Sequence, residues 1–121
     1  MKNILLVEDD PFLVDLYSTR LKVAEFEIGV ATTGKEALEK LRERKPDLLV
    51  LDIVVPTIDG WEVLHEIRKD ERFNDLKIFV LSNLDQKGDI QKAYEFGVTK
   101  YLIKAHYTPT EVIEEIKKVL K

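Results

Sequence analysis

The sequence predicts an α/β domain built around a doubly wound parallel sheet, and three features of its 121 residues predict it. Short apolar runs (Ile4-Leu5-Leu6-Val7, Leu48-Leu49-Val50-Leu51, Ile78-Phe79-Val80-Leu81) have the length of strands and the unbroken apolar character of strands covered on both faces. Between them lie segments whose apolar residues return at helical spacing. Residues able to do chemistry, Asp52 above all, stand where the strands end, and in an open parallel sheet that edge is where ligands bind.

Taken in order, residues 4–7 are the first strand, which runs into Glu8, Asp9 and Asp10. Asp10-Pro11 starts a helix, with Asp10 as N-cap and Pro11 at the first helical position, where its missing N–H costs nothing. Phe12, Leu13, Leu16, Tyr17 and Leu21 supply the apolar spacing of that helix. Phe26-Glu27-Ile28-Gly29-Val30 alternates as a half-exposed edge strand does, and Thr33-Gly34-Lys35-Glu36 has the form of a capping box ahead of Ala37, Leu38 and Leu41. Pro46-Asp47 introduces the central strand, which reaches Asp52 and is turned away by Pro56 and Asp59-Gly60. Trp61, Leu64 and Ile67 mark a third helix. Residues 77–81 form the fourth strand and deliver Ser82 and Asn83 at its end. Ile90, Ala93 and Tyr94 define a fourth helix, closed by Gly97. Tyr101-Leu102-Ile103 is a short fifth strand ending in Lys104. Thr108-Pro109-Thr110-Glu111 then starts a last helix with Val112, Ile113, Ile116 and Leu120 as its stripe. Such alternation of strands and helices implies a parallel sheet with right-handed crossovers.

Composition narrows the function. Hydrophobic residues make up 45% of the chain, enough for one core, so residues 1–121 are expected to form one domain. The absence of cysteine excludes a disulfide framework, a thiolate nucleophile and a cysteine-type zinc site, and fits a reducing compartment. A formal net charge of -4 leaves no broad phosphate-neutralising surface, so proteins and small ions are expected as partners and nucleic acid is not. No apolar segment approaches a membrane span and no signal-peptide pattern opens the chain, so the expected location is the cytoplasm, without a membrane partner.

If the strands are parallel, Glu8, Asp9, Asp52, Ser82 and Lys104 crowd one edge. Three carboxylates from two strands make a poor anion site and a good site for a hard cation, and oxygen ligands at an open, hydrated position suit Mg²⁺. With the metal bound, one carboxylate can act as a nucleophile toward a phosphoryl group and form an aspartyl phosphate. That transfer asks mainly for positioning and neutralisation of charge. Lys104 can pair with one phosphoryl oxygen and the Ser82 hydroxyl can donate to another. The remaining polar residues have sufficient structural roles: Asp10 as a cap, Asp59 as turn chemistry before Gly60, His65 and His106 exposed, and Trp61 packed beside the loop after Asp52.

These residues closely resemble the response regulator receiver domains of two-component signalling. The resemblance runs over the whole chain through Val7-Glu8-Asp9-Asp10, Pro46-Asp47 to Pro56 around Asp52, Asp59-Gly60, Leu81-Ser82 and Tyr101-Leu102-Ile103-Lys104. It implies a flavodoxin-like sheet of order 2-1-3-4-5 with five helices. It further implies Asp52 as phosphoacceptor, Asp9 as a direct Mg²⁺ ligand, Glu8 as a ligand through water, and the Val54 backbone carbonyl as another ligand. Ser82 and Tyr101 resemble the switch pair, and Lys104 the phosphate-pairing lysine. The implied partners are a sensor histidine kinase or histidine phosphotransfer protein and a downstream target protein or output domain. The domain would be a monomer or a phosphorylation-dependent dimer. No output domain follows the fifth helix, so the chain reads as a stand-alone receiver or as one trimmed from a longer regulator. It is expected not to be an enzyme beyond Mg²⁺-dependent self-phosphorylation from phosphodonors and slow self-dephosphorylation.

Four positions depart from the family pattern or qualify it. A proline preceded by a cis peptide commonly follows the lysine, whereas here Lys104 is followed by Ala105, and a cis bond there would cost roughly 3 kcal/mol. Asn83 stands where a small residue is usual and can either narrow access to Asp52 or add a hydrogen bond. Val54 and Leu84, two residues after Asp52 and Ser82, are apolar and unable to orient an attacking water, which implies a slow loss of phosphate. Other functions remain on the same architecture. A flavin- or nucleotide-binding protein needs a phosphate-cradling loop after the first strand, where this chain has Glu8-Asp9-Asp10-Pro11. An aspartyl-nucleophile phosphatase carries a further acid where Val54 stands. A degenerate receiver serving only as a binding module keeps the fold without the chemistry.

Overall fold

The computed structural model describes residues 1–120. Five strands, β1 (Asn3–Val7), β2 (Glu27–Ala31), β3 (Leu48–Leu51), β4 (Lys77–Ser82) and β5 (Lys100–Ile103), alternate with five helices, α1 (Pro11–Val23), α2 (Gly34–Glu43), α3 (Gly60–Lys69), α4 (Lys87–Glu95) and α5 (Pro109–Leu120). The strands form one parallel sheet in the order β2-β1-β3-β4-β5, with β2 and β5 at its edges. Two short 3-10 turns, Glu71–Phe73 and Lys104–His106, follow α3 and β5 and have no counterpart in the apolar pattern.

The pleat divides the core. Ile4, Leu6, Leu48, Val50, Phe79, Leu81 and Leu102 pack against Tyr17 and Leu21 of α1 and Val112, Ile113 and Ile116 of α5. Their alternates Leu5, Val7, Leu49, Leu51, Ile78, Val80 and Tyr101 pack against Ala37, Leu38 and Leu41 of α2, Val63, Leu64 and Ile67 of α3 and Ala93 of α4. Every residue of β3 is therefore buried, as its unbroken apolar run required.

Local chemistry sets the helix ends. Asp10 caps α1 by accepting from the Phe12 N–H at 2.9 Å, with Pro11 at the first helical position. Asp59 is more than a turn residue: it is the N-cap of α3 and accepts from the Glu62 N–H at 3.1 Å. Thr33 caps α2 through the Glu36 N–H at 3.0 Å, but the Glu36 carboxylate reaches back to the Thr32 N–H at 2.7 Å, so the capping box closes one residue earlier than the sequence suggests. At α5 the box closes as written, Thr108 and Glu111 each receiving the other's backbone N–H. Gly97 lies just beyond α4 with φ of 80°, the left-handed conformation that glycine adopts at little cost.

Candidate acidic site at the carboxyl edge

Val7 pairs with Leu51, Leu51 with Val80 and Val80 with Tyr101, so the strands end nearly level. The chemistry lies one to three residues beyond that row. Glu8, Asp52 and Lys104 each stand two positions past a side chain on the α1/α5 face (Leu6, Val50 and Leu102), and they meet. Ser82 stands two positions past Val80 and shares the opposite face with Tyr101. The pleat thus sorts the charged groups from the hydroxyl pair.

The Lys104 ammonium donates to Asp52 Oδ2 at 2.7 Å and pairs with Glu8 Oε1 at 2.5 Å. Glu8 Oε2 accepts from the Asp10 N–H at 3.1 Å, and Asp52 Oδ1 from the Val54 N–H at 3.1 Å. Glu8 is 2% and Asp52 6% exposed, whereas Asp9 faces solvent. Burial pushes the Glu8 carboxyl above its ordinary range against the opposing pull of Lys104 and the Asp10 N–H. For Lys104, burial acts to release the proton, and the bonds to Asp52 and Glu8 outweigh it, leaving the ammonium held above its ordinary value. Glu8, Asp9 and Asp52 each offer a carboxylate oxygen within 4.8 Å of the others. The surrounding cleft of about 440 Å³ is lined also by Asp10, Leu13, Val54, Ser82, Asn83 and Lys104. Three oxygen donors, one of them solvent-facing, in a cleft with room for water fit a small hard cation.

Ser82 is fully buried, and its hydroxyl accepts from the Leu84 N–H at 3.3 Å. Tyr101 is turned inward, and its hydroxyl donates to the Leu84 carbonyl at 2.7 Å. Both hydroxyls hold the same residue, on the connection into α4. Burial, then the charges of Asp89, Asp52 and Asp85, push the Tyr101 phenol up to about 12. The Tyr101 N–H is taken by the Tyr94 hydroxyl of α4 at 3.2 Å. Lys104 reaches Asp52 with no cis peptide bond among the described residues, the Lys104–Ala105 bond included. His65 and His106 are exposed, as their positions in the sequence suggest. Trp61 is half-buried and stacks on Phe96, with ring centroids 6.5 Å apart. Leu84 is not recognisable from the residues alone as the shared partner, because its part is played by backbone atoms.

The family model of the response regulator receiver domain matches residues 4–117. The chain is 33% identical over 121 residues to the chemotaxis protein CheY of Thermotoga maritima, covering 99% of this chain and 98% of that protein. It is also 33% identical over 120 residues to the alkaline phosphatase synthesis transcriptional regulatory protein PhoP of Bacillus subtilis, covering 99% of this chain and 49% of that one. The chain spans about half the length of the transcriptional relatives it matches. Among solved structures, the non-phosphorylated HemR receiver domain of Leptospira biflexa superposes with a TM-score of 0.91 at 27% identity, over 100% of this chain and 95% of that one. With this sheet order, this acidic edge and these relatives, the chain belongs to the response regulator receiver domain family. Among the described residues no helix is long and apolar enough to cross a membrane.

Proposed function

We propose that the domain accepts a phosphoryl group on Asp52 from a phosphohistidine of a sensor histidine kinase or a histidine phosphotransfer protein, in a Mg²⁺-dependent reaction in the cytoplasm. The observation that carries this reading is the convergence of the Glu8, Asp9 and Asp52 carboxylates within 4.8 Å beside the Lys104 ammonium. Glu8, Asp9 and Asp52, with the Val54 carbonyl, would hold the ion, whose chemistry is to offset negative charge between the carboxylate and the incoming phosphoryl oxygens. A carboxylate oxygen of Asp52 attacks phosphorus. The new O–P bond forms as the P–N bond breaks, and the imidazole leaves with the electron pair and regains a proton. Lys104, already on Asp52, shifts to a phosphoryl oxygen. The Ser82 hydroxyl donates to another, and in turning it lets go of the Leu84 N–H.

Release at Leu84 links the chemistry to the surface formed by α4, β5 and α5, which shifts between two populations and changes what it binds. The target is a downstream protein or an attached output domain. Relatives named as transcriptional regulators support the second form. The domain itself turns over no other substrate.

Incubation with Mg²⁺ and a small phosphodonor, followed by intact mass, tests the proposal. A gain of one phosphoryl group that disappears in Asp52→Asn is expected; no gain with any donor would leave a binding module. Val54 is 61% exposed at the rim and Leu84 is half-buried, and neither apolar side chain can orient water. The phosphorylated form should therefore persist well beyond seconds, and loss within seconds in Mg²⁺ would exclude that arrangement.

A further inference from the structure

Helix α4 is held very differently at its two ends. Its last turn closes in a Schellman arrangement, the Gly97 N–H on the Tyr94 carbonyl at 2.9 Å and the Val98 N–H on the Ala93 carbonyl at 3.5 Å. Onto that turn comes Arg68 from α3. Its Nε donates to the Phe96 carbonyl at 2.6 Å, its Nη2 to the Gly97 carbonyl at 3.2 Å, and its Nη1 to the Phe73 carbonyl at 2.7 Å. Arg68 makes no salt bridge among the described residues, so the guanidinium is given over to carbonyl oxygens, two of them at the negative end of the helix and the third on the turn after α3. Burial lowers its proton affinity, the direction expected of a cation held without a carboxylate. Trp61 adds to the same end, with Phe96 stacked on it and the Lys92 ammonium 4.3 Å from its ring centroid.

The first turn is held more lightly, with Asp89 as its one acidic residue and Ile90 only partly buried against the core. Gln86 at the N-cap offers no side-chain bond, Lys87 puts a positive charge at the positive end of the helix, and a Cβ on Gly88 would meet nothing within 4 Å. Ala93, in the last turn, is the one buried residue of α4. The polar restraint on the entry to the helix is at Leu84, gripped by Ser82 and Tyr101.

We propose that Arg68 is a positioning residue that makes the carboxyl end of α4 a fixed pivot, so that release of Leu84 swings the amino end of the helix while its other end stays in place. The swing rests on the switching reading given above; the pivot does not, because the Arg68 bonds are independent of Asp52. A ligand-driven change needs a two-state element biased by differential contacts, and the pair formed by the Leu84 grip and the Arg68 clamp supplies one.

Amide hydrogen exchange on the full chain tests the two parts separately. In the unphosphorylated protein the amides of Phe96 and Gly97 should exchange at least about ten times more slowly than those of Asp89 and Ile90, in keeping with the range of local opening seen within single domains. Equal protection at the two ends overturns the pivot. In Arg68→Met the difference should collapse while the rate of phosphorylation of Asp52 by a small donor stays unchanged. A folded variant that keeps the difference excludes Arg68 from the role. Should Arg68→Met not fold, Arg68→Lys, which retains charge but not the three-way fork, is expected to lose part of the difference, and full retention there counts against the proposal. After phosphorylation, the change in exchange should be confined to Asp89 and Ile90 in the native chain and extend to Phe96 in Arg68→Met. A change at both ends of the native chain overturns the swing.

Discussion

The loops leaving β3 and β4 flank the same acidic cleft and are built in opposite ways. The loop after β3 is locked by backbone contact. Ile53 and Val55 are buried, the Gly60 N–H donates to the Ile53 carbonyl at 2.8 Å, and the Gly34 N–H to the Pro56 carbonyl at 3.3 Å. A Cβ on Gly34 would stand 1.7 Å from the Ile58 carbonyl oxygen, and one on Gly60 2.6 Å from the Ile53 Cα, so the amino ends of two helices press on this loop from either side. Thr57 within it takes a φ of 64°, a conformation that β-branched residues adopt only when the surroundings impose it. The loop after β4 exposes Asn83, Asp85 and Gln86 and is held at Leu84 by two side-chain hydroxyls. Backbone contact has no second arrangement to offer, whereas hydroxyls can change partners. Under the proposed function, Asp52 takes the phosphoryl group after the strand with the rigid loop, and the response would belong to the other.

The largest effect is expected from enlarging the glycines of the rigid loop. Gly34→Ala must displace the Ile58 backbone and should cost about 3 kcal/mol or more; Gly60→Ala, where Ile53 has slightly more room to give, should cost about 2 kcal/mol, both read from urea denaturation. Loss of under about 1 kcal/mol in both would remove the contrast between the loops. Next comes Tyr101→Phe. At neutral pH it should cost about 1 kcal/mol through the lost bond to Leu84. The native phenol is pushed up to about 12 from an ordinary value of 10.0, so its neutral form contributes stability that is full below pH 10.0 and lost as pH rises toward about 12. The stability gap between native chain and variant should therefore narrow between pH 10 and pH 12, and a constant gap would contradict the burial of the hydroxyl. The smallest effect is Gly88→Ala in α4, where the new methyl meets nothing and helix propensity should add about 0.5 kcal/mol. A loss there would mean that the first turn of α4 is packed as tightly as the other loop.

Much of this was readable from residues. The apolar runs of β1, β3 and β4, the Asp10-Pro11 start and the alternating edge strand β2 follow from rules acting within a few residues of chain. The strand order came from resemblance, since period and propensity do not say which strands are neighbours. Glu8, Asp9, Asp52 and Lys104 were legible as a group because parallel strands deliver their ends to one edge, and their partners are charged side chains of complementary kind. Arg68 was not, because its partners are carbonyls at residues 73, 96 and 97, and an oxygen that every residue carries leaves no mark in a sequence. The same holds for Leu84. Gly34 and Gly60 were read as helix-start and turn residues; the need for them comes from backbone brought close by the fold. The shift of the Glu36 bond from Thr33 to Thr32 is a matter of side-chain reach, to which the spacing rule is blind.

Trp61 is the only tryptophan of the chain, and its position gives the molecule a built-in optical signal. Its indole meets both the Phe96 ring and the Lys92 ammonium, where α3 meets the last turn of α4. Emission from one ring therefore reports whether those two helices are docked, with no second fluorophore of its kind to average over. Unfolding and detachment of α4 should both register there, and the glycine and arginine substitutions can be compared on one unlabelled channel.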